Sequence, residues 1–407
     1  MSARRLLACL AVVSLAVSGC GSATAPARSG PAPVSAPAAA APQAPSAAAP
    51  TTPATGAASS ASAPASAVTA APSPALQQLI AAAREEGQLD LMWSEAVIGG
   101  SPAVRRWIDG FAKAYGLDLT VRYTAGPSMA QTSVQLLQEY EANRPATSDV
   151  MVNAVAPTLR MIHAGVLQPV DWMSWAPNIR DPQLLSGPAG EAVTVSSAIS
   201  GITYNTNALS GDAVPRSLAD LLKPQYTGRI ASTPYPGSFE HIVTPEVWGE
   251  PRTVEYLTSF RDQVAGLMPC GQWERVASGE FDLFALDCGA FEAGQAQAKG
   301  APIAQVVPAD AIIVQQWYVS VPKNAAHPNA AKLWINYLLS REAQDIQFET
   351  YAQDLATLPG SRSAVALEAP RAAGGQVHDV NVAFLERQDA SNLEAMSARL
   401  GDIINRR

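Results

Sequence analysis

Two apolar stretches constrain this chain more than anything else in it: residues 197–209 (SAISGITYNTNAL) and residues 314–321 (VQQWYVSV). In the first, Ile199, Ile202 and Tyr204 suit a strand, Gly201 permits close backbone approach, and Asn205-Thr206-Asn207 reads as a turn. Mixed strand and helix patterns lie before the first stretch and again between the two. The two stretches are read as hinge strands joining two lobes with a ligand in the cleft between them. General physics favours this, since pockets concentrate at lobe interfaces and at the carboxyl ends of parallel strands, while the specific assignment rests on the family resemblance given below.

The amino-terminal part does not belong to that body. Residues 1–20 have a basic start (Arg4, Arg5), an apolar run and then Ser18-Gly19-Cys20, the pattern of a secretory signal too short to span a bilayer. Val17-Ser18-Gly19-Cys20 resembles the lipobox of bacterial lipoproteins, which implies cleavage before Cys20 and lipidation of its sulfur. Residues 21–73 are almost entirely Ala, Pro, Ser, Thr and Gly. Such a segment buries too little surface to offset its ordering entropy, so a disordered tether is expected. The net charge of −8 and the absence of a basic block after the signal exclude a nucleic-acid role. Cys270 and Cys288 remain as an even pair in an exported chain; a disulfide is the default expectation and two buried thiols the alternative.

From residue 74 onward, helices and strands alternate. Residues 74–86 read as a helix stopped by Gly87, residues 89–93 as a strand, 104–115 as a helix stopped by Gly116, and 119–123 as a strand. Ser128 opens the helix 129–141, where it either caps its own helix or helps to hold an anion. A strand at 148–152 ends at Asn153, and a short helix follows. This alternation means a parallel sheet with helices packed on it. Residues 368–379 read as a loop and 383–404 as a final helix.

The order of several short motifs resembles the bacterial extracellular solute-binding proteins, nearest their ferric-iron-type subgroup. They are Phe111-Ala112-Lys113-Ala114-Tyr115-Gly116, Ser148-Asp149-Val150, Ala164-Gly165-Val166-Leu167-Gln168-Pro169 and Ile202-Thr203-Tyr204-Asn205-Thr206-Asn207. Tyr226-Thr227-Gly228-Arg229-Ile230, Ser278-Gly279-Glu280-Phe281-Asp282 and His327-Pro328-Asn329-Ala330-Ala331-Lys332 continue the series. The resemblance implies a two-lobed α/β fold of the type II periplasmic-binding-protein kind with two crossing hinge strands. Lobe 1 is expected at 74–199 plus 317–407, with the final helix packed on it, and lobe 2 at 200–316. It also implies closure around a small solute and delivery to the permease of an ABC transporter, by a monomer tethered in the cell envelope.

Ferric members carry adjacent tyrosines just after the Gly-Glu strand of the second lobe, and phenolates suit a hard trivalent cation. The matching stretch here, residues 287–292 (DCGAFE), has none, and His163, His241, His327 and His378 show no ligand spacing. Bare ferric ion is therefore disfavoured, no metal or cofactor is expected, and an organic solute is favoured. Trp93, Tyr204, Tyr235, Trp273, Trp317 and Tyr318 sit at loop or crossing positions where rings can stack on a ligand, and Tyr204, Tyr235, Trp273, Trp317 and Tyr318 are taken as candidate contacts. Ser94, Ser128, Asn153, Thr233 and Ser238 are neutral hydrogen-bonding candidates at strand or loop ends, and Glu95 is the acid that would meet a cation, or else a solvated loop charge. Cys288 falls where the tyrosine pair would begin; a bridge to Cys270 would either preorganise two ligand-facing loops or only stabilise the lobe. No Gly-x-Ser-x-Gly elbow, HExxH motif or Gly-rich phosphate loop occurs, so a secreted enzyme is the weakest reading. A surface-tethered sensor domain is the alternative to a transport receptor.

Overall fold

Ser73 caps the first described helix. Its side chain accepts the Leu76 N–H at the head of α1 (Pro74–Glu86), and Gly87, left-handed at φ 66°, closes the helix by donating to the Ala83 carbonyl. A computed structural model describes residues 72–406 apart from 288, 290 and 389, all within one unit, Thr69–Arg407. The signal segment, Cys20, nearly all of the tether and Cys288 lie outside the described residues.

After α1 come β1 (Gln88–Trp93), α2 (Gly100–Tyr115), β2 (Thr120–Ala125), α3 (Met129–Glu141), β3 (Met151–Ala154) and α4 (Val155–His163). β1 and β2 pair parallel from Gln88↔Thr120 to Trp93↔Ala125, and the Leu91↔Val150 bridge brings β3 alongside β1 in the same sense. The carboxyl ends of these strands thus lead together into Ser94, Gly126 and α4, the edge where ligands meet such sheets.

Helix α2 buries Ala103, Val104, Trp107 and Phe111 on one stripe, with the Phe111 ring 5.2 Å from Trp334 and 6.0 Å from Tyr337. Gly110 lies in that stripe because nothing larger fits: a Cβ there would overlap the Tyr337 hydroxyl. Gly110→Ala is expected to cost about 2 kcal/mol through overpacking despite the better helix propensity of alanine. Tyr337→Phe, which removes the nearest clashing atom, should restore part of it, as urea midpoints would show. Equal midpoints for the wild type and Gly110→Ala would contradict the packing described.

β4 (Leu185–Ser186) and β5 (Ala192–Ile199) precede the first crossing into β6 (Ile202–Asn205). The second half then runs through β7 (Ile230–Ser232), α5 (Phe239–Ile242), α6 (Glu250–Arg261), β8 (Val264–Leu267) and α7 (Glu274–Ala277). It finishes with β9 (Leu283–Phe284), α8 (Phe291–Ala298) and β10 (Ile303–Val306), and its sheet has the order β10-β6-β9-β7-β8. β11 (Ile312–Ser320) brings the chain back. It pairs antiparallel with β5 from Val314↔Ile199 to Ser320↔Ala192, and with β3 on its other edge from Trp317↔Ala154 to Ser320↔Met151. Both expected crossing stretches are therefore strands. The first breaks at Ser200-Gly201, where a Cβ on Gly201 would run into the Gln305 side chain.

The last part of the chain departs from the expectation. After α9 (Pro328–Leu338) and α10 (Arg341–Tyr351) come α11 (Arg362–Ala366), α12 (Glu368–Ala372), β12 (Val377–Val380), α13 (Val382–Glu386) and α14 (Ala390–Asn405). Residues 368–379 are thus a helix and a strand instead of a loop, with β12 parallel to β11 from Ile312↔Val377 to Gln315↔Val380. Pro370 is tolerated because it falls in the first turn of α12, where its missing N–H would have had no helical partner. The final helix does not rest on the first lobe. Met396, Leu400, Ile403 and Ile404 are buried with Phe239, Tyr256 and Phe260, so α14 packs on α5 and α6, while α13 packs on α4. The apolar spacing of α14 specifies which of its faces is buried and carries no information on the partner.

Candidate functional site

The β5–β11 ribbon runs between the two halves, and a cavity of about 480 Å³ opens beside it. Its walls come from both sides. Ala154, Val155, Ala156 and Pro157 contribute the β3–α4 junction, while Glu240, His241 and Thr244 contribute α5 and the turn after it. Gln315, Gln316 and Trp317 of β11 form the base, and Val380, Phe384, Leu385, Leu393, Glu394 and Ser397 close the far side. A larger hollow of about 690 Å³ around Tyr115, Trp175 and Glu342 includes no residue of a crossing strand.

The cavity is mostly apolar, with few polar groups, the composition that suits small-molecule sites. Among its described lining residues Glu240 and Glu394 are the carboxylates, and none is a Lys or Arg. The Ser397 hydroxyl reaches Glu240 Oε2 at 3.4 Å, linking α14 to α5. His241 adds no positive charge near neutrality, because burial holds its imidazole below the ordinary pKa, opposed only in part by Glu240 and Gln315. The first turn of α4 has no side-chain cap, which leaves N–H groups there without the usual side-chain acceptor. Trp317 meets the Tyr351 ring edge-on at 6.3 Å, which fixes the indole at the wall.

Of the candidate contacts expected from sequence, Trp317 is the one that lines this cavity. The others have local partners. Glu95 accepts from the backbone and hydroxyl of Ser101 at the head of α2, which lowers its pKa. Ser94 receives the Ala96 N–H, and Ser128 forms a capping box with Gln131, so it caps its own helix. Asn153 is buried against Ser133, and the Thr233 hydroxyl donates to the Tyr235 carbonyl. The Tyr235 hydroxyl accepts the Cys270 N–H at 2.9 Å. Tyr204 and Trp273 are half-buried against hydrophobic clusters of the second sheet, and Tyr318 is buried with its hydroxyl accepting the Val382 N–H. Cys288 lies outside the described residues. Sequence reasoning missed Glu240 and His241, which lie on α5 after β7, and the α13–α14 set, which follows β12, a strand read from sequence as part of a loop.

Behind the cavity a polar network ties the crossings together. Ser200 and Ser238 share a hydrogen bond of 2.7 Å, and the Ser238 hydroxyl donates to the Asp287 carbonyl. The buried Asp287 carboxylate accepts from Gly201, Thr203, Gln305 and Gly289. Elsewhere, His327 Nδ1 lies 2.8 Å from Asp149 and 3.9 Å from Asp90, a grouping the histidine spacing did not reveal. Asp149 also accepts the Asp90 and His327 N–H groups, so its oxygens join β1 to the start of α9.

Residues 157–373 match the bacterial extracellular solute-binding protein family. A curated relative, the Fe(3+)-binding periplasmic protein of Serratia marcescens, is 30% identical over 161 residues, 39% of this chain; the match spans 45% of that relative's length. Among solved structures, the substrate-binding protein of an ABC transporter from Agrobacterium tumefaciens shares the fold with a TM-score of 0.60 at 18% identity, covering 80% of this chain and 97% of that one. The spermidine/putrescine ABC transporter substrate-binding protein PotD of Streptococcus pneumoniae has a TM-score of 0.60 at 14% identity, covering 78% and 99%. Such proteins are two-lobed binders and not enzymes. With its halves joined by paired crossing strands and a cavity formed from both, the chain belongs to the bacterial extracellular solute-binding proteins.

Proposed function

We propose that this protein is the lipid-anchored receptor of an ABC importer, and that it captures a small organic solute bearing a protonated nitrogen. Cys20 carries the lipid, residues 21–73 form the tether, and the folded monomer works at the outer face of the cytoplasmic membrane or in the periplasm. Lobes at 74–199 plus 317–386 and at 200–316, the second carrying α14 on α5 and α6, close on the solute by hinge motion and present it to the permease. A bridge between Cys270 and Cys288 stiffens the second lobe.

One observation carries the choice of solute: the cavity of about 480 Å³ places Glu240 and Glu394 beside Trp317 and Phe384, with no Lys or Arg among its described lining residues. Carboxylates favour a cation, and aromatic faces add to that attraction. The Serratia relative is named for ferric ion, but residues 287–292 offer no phenolate for it. Mass spectrometry of small molecules released from the gently purified full chain tests this reading. An organic amine or guanidinium compound is expected at near one-to-one ratio; stoichiometric iron, or a bound compound that is chemically converted, would overturn it.

A further inference from the structure

A second cavity, of about 240 Å³, lies against the same crossing ribbon and has the opposite polarity. Ser197 and Ile199 of β5 face it together with α8, the end of α10 and α11. None of its described lining residues is an acid, and Arg362 is the charged one. Two arginines share one carboxylate here. Arg362 pairs with Asp345 at 2.6 Å and Arg341 pairs with the same group at 3.1 Å, so the trio keeps a net positive charge. Arg362 is held in place by the Phe348 ring, 4.8 Å from its guanidinium carbon.

Gln353 is the more telling group. It is 2% exposed, its Oε1 receives the Ser196 hydroxyl at 3.4 Å, and its Nε2 has no hydrogen-bond partner among the described residues. Buried amide donors almost always have partners, because an unmade bond forfeits the hydration the group gave up. The Gln353 amide, the Arg362 guanidinium and the Ser363 side chain line this space, and none of its described lining residues is a carboxylate; the Arg362 and Ser363 N–H groups donate to the neighbouring Asp354. Such side chains match an acceptor with negative charge, bound through charge-assisted hydrogen bonds.

We infer that this cavity binds a small oxyanion, a carboxylate or phosphate group, at a site separate from the solute cavity and lined from both lobes. Inorganic phosphate and malonate are the probes, titrated against the full chain with potassium chloride at matched ionic strength as control. At least one of them is expected to raise the melting temperature and to bind in calorimetry, with chloride doing neither. Gln353→Leu removes the unpartnered donor together with the acceptor of the Ser196 hydroxyl, so a small loss of stability is expected; the folded variant should bind the anion at least tenfold more weakly. Ala366→Trp, which blocks the cavity without touching its polar groups, should do the same. Wild-type protein that responds to both anions only as to chloride would overturn the inference. Unchanged affinity in Gln353→Leu or in Ala366→Trp would also overturn it.

Discussion

Trp317→Ala is expected to weaken solute binding about 30-fold, the effect of removing a central aromatic wall worth ~2 kcal/mol. The indole stands at the base of the larger cavity, on the strand that joins the lobes, and is oriented by its edge contact with Tyr351. It also sits at the register shift where β11 changes its pairing with β5, so its direction is set by the bulge as well as by packing. Trp317→Phe keeps a ring and should retain most of the affinity. Calorimetry with the co-purified solute, beside melting curves that show both variants folded, separates binding from stability. Wild-type affinity in Trp317→Ala would remove this cavity from consideration as the solute site.

Asp287→Ala should be the most damaging change to stability, at about 3 kcal/mol or more, because it strands several buried donors at once. Gly201 and Gly289 each donate to its carboxylate at 3.1 Å, Thr203 at 2.6 Å and Gln305 at 3.0 Å. Burial still outweighs these donors and pushes the pKa up from 3.8 to about 6. The folded state therefore keeps the proton longer than the unfolded state does. The contribution of this group is greatest below about pH 4, falls as pH rises to about 6, and is constant beyond; the span is about 3 kcal/mol at 1.36 kcal/mol per unit. Asp287→Asn removes the titration, so its stability relative to the wild type should improve between pH 4 and pH 7. Urea midpoints at the two pH values check this, and parallel profiles would refute the assignment.

Much of the fold could be read from residues. The Gly87 and Gly116 stops, the α2 stripe and the two crossing strands are local signals, and the structure honours each. The carboxyl-terminal region was less legible. Val377–Val380 is a strand only because β11 offers it an edge, and α14 chose α5 and α6 over the first lobe, a matter of tertiary fit. Site residues were harder still. Ser128, Glu95 and Thr233 have side chains suited either to a ligand or to the nearby backbone, and in each case the backbone is the partner found. Glu240 and Glu394 are far apart in sequence, and only the packing of α14 on α5 brings them to one cavity.

Because α13 leans on α4 while α14 leans on α5 and α6, the polypeptide passes between the halves a third time. A door hung at three points along one edge swings about a single line and resists twisting. Opening and shutting here should follow one arc, and the tail of the chain, far from being an appendage, acts as the lowest of the three pins.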